Sequence, residues 1–181
     1  MTEETLRPGG MITAQDATRR MALMHASLSV AALSAAPPPL DLLEQCLADL
    51  DALSGQLGTT VTNGDHAPFE TWSLALARSE VLGTAAHLSH AHENLLYLLA
   101  FADQTTPVRR AAIGDDALGD LCLATDKLAA ALDCLRHTLT SRRDEAARQR
   151  PGGTAGRQLP PEESARPCSP PPAAEAPGRQ R

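Results

Sequence analysis

The stretch LGDLCLATDKLAAALDCLRHTL, residues 118–139, decides the fold of this chain. Large apolar residues recur along it at intervals of three, four and seven. An α-helix turns once per 3.6 residues, so these side chains form one stripe along a helix, the pattern of a seam between packed helices. We therefore predict a helix from about 115 to 149, with Asp115 or Asp116 capping its start. The stripe consists of Leu118, Leu121, Leu128, Leu132, Leu135 and Leu139.

Three further helices are predicted upstream, at about 13–35, 39–57 and 68–102, from apolar stripes with the same spacing. We expect Gly58 to stop the second helix and Pro107 to end the third. Aromatic residues make up only 2% of the chain, which suits helix packing better than sheet packing. The sequence predicts an all-α fold, an antiparallel four-helix bundle that spans residues 13–149.

Both ends of the chain are predicted to lie outside the bundle. Residues 1–12 lack periodicity and contain Pro8-Gly9-Gly10, so we expect a flexible N-terminal arm. Residues 150–181 are rich in Pro, Gly, Arg and Glu and have one large aliphatic residue, Leu159. Such a composition offers too little apolar surface to offset the entropy of ordering, so we predict a disordered Pro/Arg-rich tail.

The charge is distributed unevenly along the chain. Residues up to Thr140 include 8 Lys/Arg and 17 Asp/Glu, a net charge of −9, whereas the remainder has 8 against 5 and a net charge of +3. A bundle this acidic repels phosphate backbones, so we expect no nucleic-acid partner. We also expect no membrane partner, because the longest apolar run, Leu95 to Ala102, is far shorter than the roughly 20 residues that span a bilayer.

The expected location is cytoplasmic, because the four cysteines show neither CxxC spacing nor the density of a disulfide-stapled domain. A minor alternative is twin-arginine export, since Arg19 and Arg20 precede a mildly apolar segment that ends at Pro37. The acidic residues Glu3 and Glu4 favour an ordinary first helix instead.

Two histidines on the third helix are the candidate metal ligands. His87 and His90 lie about 60° apart on the helical wheel, so both point to the same side. Zinc or iron would need a third ligand from another helix, and the Glu-x-x-His pairs of ferritin-like bundles do not occur in this sequence. The alternative is a pair of solvated or interface-lining histidines with no cofactor.

A buried polar contact is predicted between the third and fourth helices. His92 interrupts the apolar stripe of the third helix, and Thr125 occupies the missing leucine position of the fourth. If the two helices pack antiparallel about a turn near residue 109, these positions lie side by side. We expect a contact between His92 and Thr125 that fixes the register of the two helices.

The Ala-Ala-His-Leu-Ser-His-Ala-His stretch, residues 85–92, together with the helical layout, resembles small helical proteins of unknown function from GC-rich bacterial genomes. The resemblance covers the third helix. It implies an α-helical fold and no particular catalytic residue.

The function expected from the sequence is a protein–protein interaction or scaffold module. The third and fourth helices have more apolar surface than one packing side requires, and a protein partner or a homodimer could bury it. The alternative is a metal-dependent bundle enzyme that uses His87 and His90. We assign no enzyme class, because the sequence has no phosphate-binding loop after a strand and no nucleophile elbow. The surplus apolar residues are Leu76, Leu98, Phe101, Leu123 and Cys134.

Overall fold

The computed structural model describes residues 10–34 and 37–149, and these residues form four α-helices without any strand. The helices are α1 (Ala14–Leu33), α2 (Leu40–Asn63), α3 (Pro68–Ala100) and α4 (Pro107–Gln149), with a 3-10 turn at Ala102–Gln104 between the last two. The all-α prediction is confirmed. The predicted tail, residues 150–181, and most of the predicted arm lie outside the described residues. None of the helices within the described ranges is long and apolar enough to cross a membrane.

The helices pack as an antiparallel bundle, as the sequence predicts. The most extensive contact joins α3 to α4; α2 packs on another side of α3, and α1 packs on α4. Two ion pairs show the antiparallel direction, because Glu80 pairs with Lys127 whereas Glu70, earlier on α3, pairs with Arg142, later on α4. Short connections between consecutive helices favour this arrangement.

The core consists mainly of leucines from all four stripes. Leu121, Leu128 and Leu135 of α4 are at most 1% exposed and contact apolar residues of the other helices. Removing a leucine side chain from water contributes about 1.5–3 kcal/mol, so these positions dominate the stability of the bundle. The two ends of the predicted α4 stripe differ from its middle: Leu118 is 43% exposed and Leu139 is half-buried.

The sequence predicts that the second helix stops at Gly58. The structure shows instead that α2 continues to Asn63. Glycine at this position allows close approach of a neighbouring side chain, because a Cβ atom on Gly58 would lie 3.1 Å from Nε of Arg78. From there Nε of Arg78 donates a hydrogen bond to the Ser54 carbonyl oxygen at 3.2 Å. Gly58 therefore leaves room for a contact between α2 and α3, and it does not end α2.

The fourth helix begins at Pro107, eight residues before the predicted start at 115. The Thr106 carbonyl accepts a hydrogen bond from the Arg110 backbone N–H at 2.9 Å, and its hydroxyl accepts one from the Arg109 N–H at 3.4 Å. Threonine before a proline in the first helical turn is a common start of a helix. Asp115 and Asp116 lie inside α4, exposed to solvent, and do not cap it.

The first helix begins where the sequence predicts. The Thr13 hydroxyl accepts a hydrogen bond from the Asp16 backbone N–H at 3.0 Å, which caps α1. The sequence predicts that Ile12, the residue before Thr13, belongs to the flexible arm. In the structure Ile12 is buried, and its N–H donates a hydrogen bond to Oγ1 of Thr60 at 3.0 Å. The bundle therefore includes the end of the segment predicted as an arm.

Candidate functional site

His87 and His90 meet at a single carboxylate on the neighbouring helix. Nδ1 of His87 donates to Oδ1 of Asp120 at 3.0 Å, and Nδ1 of His90 donates to Oδ2 of the same residue at 2.5 Å. The structure thus places both predicted histidines on one side of α3 and adds Asp120 from α4, which the sequence reasoning did not identify.

The environment of Asp120 favours its charged form. Partial burial opposes ionisation, but the hydrogen bonds from His87 and His90 outweigh it and hold the pKa of the Asp120 carboxyl below its ordinary value. An ionised carboxylate only accepts hydrogen bonds, so both imidazoles have their proton on Nδ1 and turn Nε2 away from Asp120. His90 is 60% exposed at its side chain and His87 33%, so both rings are accessible from solvent.

These three side chains form only part of a metal site. A carboxylate bonded to Nδ1 is the usual outer-sphere partner of a histidine that binds metal through Nε2. Within the described ranges, however, no group of three or more histidine, cysteine or acidic side chains is arranged to hold a metal ion. His87 and His90 would therefore supply two ligands at most, and a zinc or iron site remains a prediction.

His92 and Thr125 do not form the predicted contact. Nε2 of His92 is buried and lies 3.3 Å from Oε1 of Glu44 on α2, without hydrogen-bonding geometry. The Thr125 hydroxyl donates instead to the carbonyl of Leu121 on its own helix, at 2.6 Å.

The prediction failed because the turn between α3 and α4 lies several residues earlier than the assumed position near 109. The pairs His87–Asp120 and Glu80–Lys127 are both centred between residues 103 and 104, at the 3-10 turn. This register brings Lys127 against Gly83, where a Cβ atom would lie 3.3 Å from its Cδ. Position 92 is accordingly too far along α3 to meet Thr125.

An apolar groove opens at the end of the bundle where α1 and α3 finish and α2 and α4 begin. It has a volume of about 460 Å³, within the range of ligand and peptide sites, and no charged residue lines it. We refer to this feature as the apolar groove. Its lining includes Ala31, Leu40, Leu95, Leu99, Ala117 and Leu118.

The groove is a continuation of the core that no helix covers. Val81, Leu88 and Leu95 lie on the core side of α3 and are at most 8% exposed, and Leu99 follows one turn later on the same side. Leu99 is nevertheless 69% exposed. The reason is length, because α1 ends at Leu33 and α2 begins at Leu40, whereas the α3–α4 hairpin extends further.

The apolar residues that the sequence marked as surplus fall into two groups. Leu98 and Cys134 pack against the core, and Leu76 is half-buried, so these three need no further partner. Phe101 is 43% exposed and Leu123 48% exposed. Leu98 also lines the apolar groove, and Phe101 follows directly after the end of α3.

The sequence does not reveal Leu99 and Leu118 as groove residues, because each continues a regular apolar stripe along its helix. The relative lengths of the four helices are the signal that could have found them. Because α1 ends before Pro37 and α4 begins at Pro107, the last leucines of α3 lie beside α4 without cover from α1 or α2.

Comparison with models of known protein families finds no match for the chain. Comparisons with curated proteins and with solved structures also find no significant similarity.

Proposed function

We propose that this chain is a protein–protein interaction module whose apolar groove binds the apolar face of a helix from another protein molecule. The observation that carries the proposal is the 69% exposure of Leu99 on the core side of α3. A bound helix would cover an exposed apolar side chain of this kind and remove it from water.

The composition of the groove supports a protein segment as the bound molecule. The lining is almost entirely aliphatic, with Leu95, Leu99 and Leu118 contributed by two antiparallel helices. Two such helices present the ridges and grooves against which a third helix packs with its apolar stripe. The lining lacks the converging polar groups that orient a small substrate, which argues against a catalytic pocket there.

The proposal can be tested with a fluorescent, uncharged amphipathic peptide whose leucines fall at i, i+4 and i+7 on a helix. We expect saturable binding to the wild-type chain, measured by fluorescence anisotropy. Leu99→Glu should weaken binding by roughly tenfold or more, because the complex would bury an unpaired carboxylate.

Leu82→Glu is the matched control for this experiment. Leu82 is a leucine of the same helix, 50% exposed, and it does not line the groove, so this variant should bind the peptide as the wild type does. Circular dichroism of both variants verifies that the bundle is intact. Failure of the wild type to bind, or equal binding by Leu99→Glu, would contradict the proposal.

A metal-dependent enzyme at His87 and His90 is a second candidate function. It is supported by one observation, the carboxylate of Asp120 bonded to Nδ1 of both rings, which orients the two Nε2 atoms for a ligand. Elemental analysis after equilibration with zinc or iron(II) tests it. Stoichiometric metal that is lost in His87→Ala supports the candidate, and metal-free protein contradicts it.

A further inference from the structure

The α1 side of the apolar groove lacks charge although the bundle as a whole is acidic, whereas on the α4 side the exposed Asp115 and Asp116 lie next to the lining residues Gly114 and Ala117. Residues 21–40 contain no Asp, Glu, Lys or Arg. This segment covers most of α1, the connection to α2 and the first residue of α2. The part of the chain up to Thr140 has a net charge of −9, so this charge-free segment contrasts with the rest of the bundle.

Two large apolar side chains project from α1 beside the groove. Leu33 is 89% exposed, the highest value among the large apolar residues of the described ranges, and Val30 is 72% exposed. They lie on the side of α1 that faces away from the core residues Leu28 and Ala31. Nothing within the described part of the chain covers them.

The projecting residues and the groove lie at the same level of the bundle. Ala31, which lies between Val30 and Leu33 in the sequence, lines the groove itself. A contact about a twofold axis at this end of the molecule would place the projecting residues of each copy against the groove of the other. Such a reciprocal contact is the usual form of a symmetric dimer interface.

We propose that the molecule bound in the apolar groove is a second copy of this chain, which inserts Leu33 and Val30 next to Leu99 and Leu118. This inference rests on the proposed function and names the partner for the same groove. A leucine and a valine side chain have the apolar character that the aliphatic lining requires.

Charge favours the second copy over an unrelated acidic or basic partner. Two acidic molecules repel each other at most orientations, and the repulsion is smallest where neither surface has a charge. The segment formed by residues 21–40 meets this condition on both copies when they meet there.

The exposed apolar area is also concentrated at this end. Many of the large apolar residues exposed in the described ranges lie near the ends of α1 and α3 or in the first three turns of α4. A stable interface buries about 800 Å² on each partner, and these side chains would form its centre. Besides those already named, they are Leu96, Phe101 and Val108.

Sedimentation equilibrium of the full chain over a dilution series tests the inference. We expect the wild type to sediment as a dimer that dissociates on dilution, and Leu33→Asp to sediment as a monomer at every concentration. Val30→Asp is a second variant with the same expectation. Both residues are largely exposed in the folded chain, so neither change should disturb the bundle, which circular dichroism verifies.

The control and the peptide experiment separate the two proposals. Leu82→Asp should retain the dimer, because Leu82 lies away from the groove. A wild type that is monomeric throughout, or a Leu33→Asp variant with the wild-type mass, would overturn the second-copy proposal. If that variant still binds the amphipathic peptide, the interaction module stands; if the wild type binds neither peptide nor itself, both proposals fail.

Discussion

Arg142, near the end of α4, and Glu70, in the first turn of α3, are joined by two side-by-side hydrogen bonds. Nε of Arg142 donates to Oε1 of Glu70 at 2.5 Å, and Nη2 donates to Oε2 at 2.8 Å. A planar guanidinium matched to a carboxylate in this way is stronger than a single contact. The pair fixes the relative position of α3 and α4 at the end of the bundle opposite the groove.

The first prediction concerns this pair. Arg142→Ala should lower the free energy of unfolding by about 0.2–1 kcal/mol at neutral pH, as measured by urea denaturation. Arg136→Ala is the control, because the Arg136–Asp133 pair lies within one helix and both side chains are more than 60% exposed, so its loss should have a smaller effect. Equal effects of the two substitutions would contradict the prediction.

The pair should also make stability depend on pH. The hydrogen bonds from Arg142 lower the pKa of the Glu70 carboxyl from its ordinary value of 4.5. Because the folded-state pKa is the lower one, the stabilisation is complete above the unfolded-state pKa and is lost as the pH falls through the folded-state pKa. The difference between wild type and Arg142→Ala should therefore be present at neutral pH and shrink in acid below pH 4.5.

The second prediction concerns the carboxylate shared by His87 and His90. Asp120→Asn leaves one side-chain oxygen to accept a hydrogen bond, so one imidazole loses its acceptor. We expect long-range ¹H–¹⁵N NMR to show a proton on Nδ1 of both rings in the wild type, and one ring in the variant to lose its preference for that position. Unchanged tautomers in Asp120→Asn would argue that the carboxylate does not orient the rings.

The third prediction compares two glycines of α2. A Cβ atom on Gly55 would meet nothing within 4 Å, whereas one on Gly58 would lie 3.1 Å from Nε of Arg78. Gly55→Ala should raise the free energy of unfolding by about 0.5–1 kcal/mol through helix propensity. Gly58→Ala should raise the free energy of unfolding by a smaller amount, because the added methyl group displaces the Arg78 side chain from its hydrogen bond to Ser54. Thermal and urea denaturation would measure both, and equal gains would count against the proposed role of Gly58.

The fourth prediction tests the core stripe of α4. Leu128 is fully buried, so Leu128→Ala should cost about 2–5 kcal/mol, the usual loss for an aliphatic side chain removed from a packed core. Leu123, five residues earlier, is 48% exposed, and Leu123→Ala should change stability by less than about 0.5 kcal/mol. Similar losses at the two positions would mean that the seam of α4 is wrongly placed.

The fold was predictable because the spacing of apolar residues is a local property of the sequence. Leu121, Leu128 and Leu135 indicate one side of α4 without any knowledge of what covers it, and the structure buries all three. Thr13 likewise gives the start of α1 from its own side chain. Such signals depend on neighbours within a turn or two.

The errors arose where a residue serves a distant neighbour. Gly58 resembles a helix stop, but it makes room for Arg78 of another helix. Pro107 resembles the end of α3, but with Thr106 it starts α4, and this early start shifts the register of the two helices. That shift brings His87 and His90 to Asp120 and removes His92 from Thr125. The sequence therefore predicted the residues that α3 contributes to the candidate site, but not Asp120 of α4.

The unequal lengths of the helices have a consequence for distance. Every residue from 143 to 148 is exposed, so α4 continues as a single rod beyond the Arg142–Glu70 pair. At 1.5 Å per residue, the 43 residues of α4 measure about 65 Å from end to end. If two copies join at their grooves, the chain leaves the pair after Gln149 at two remote poles. Anything attached there would be held apart by more than the length of one such rod, which would make the pair a spacer.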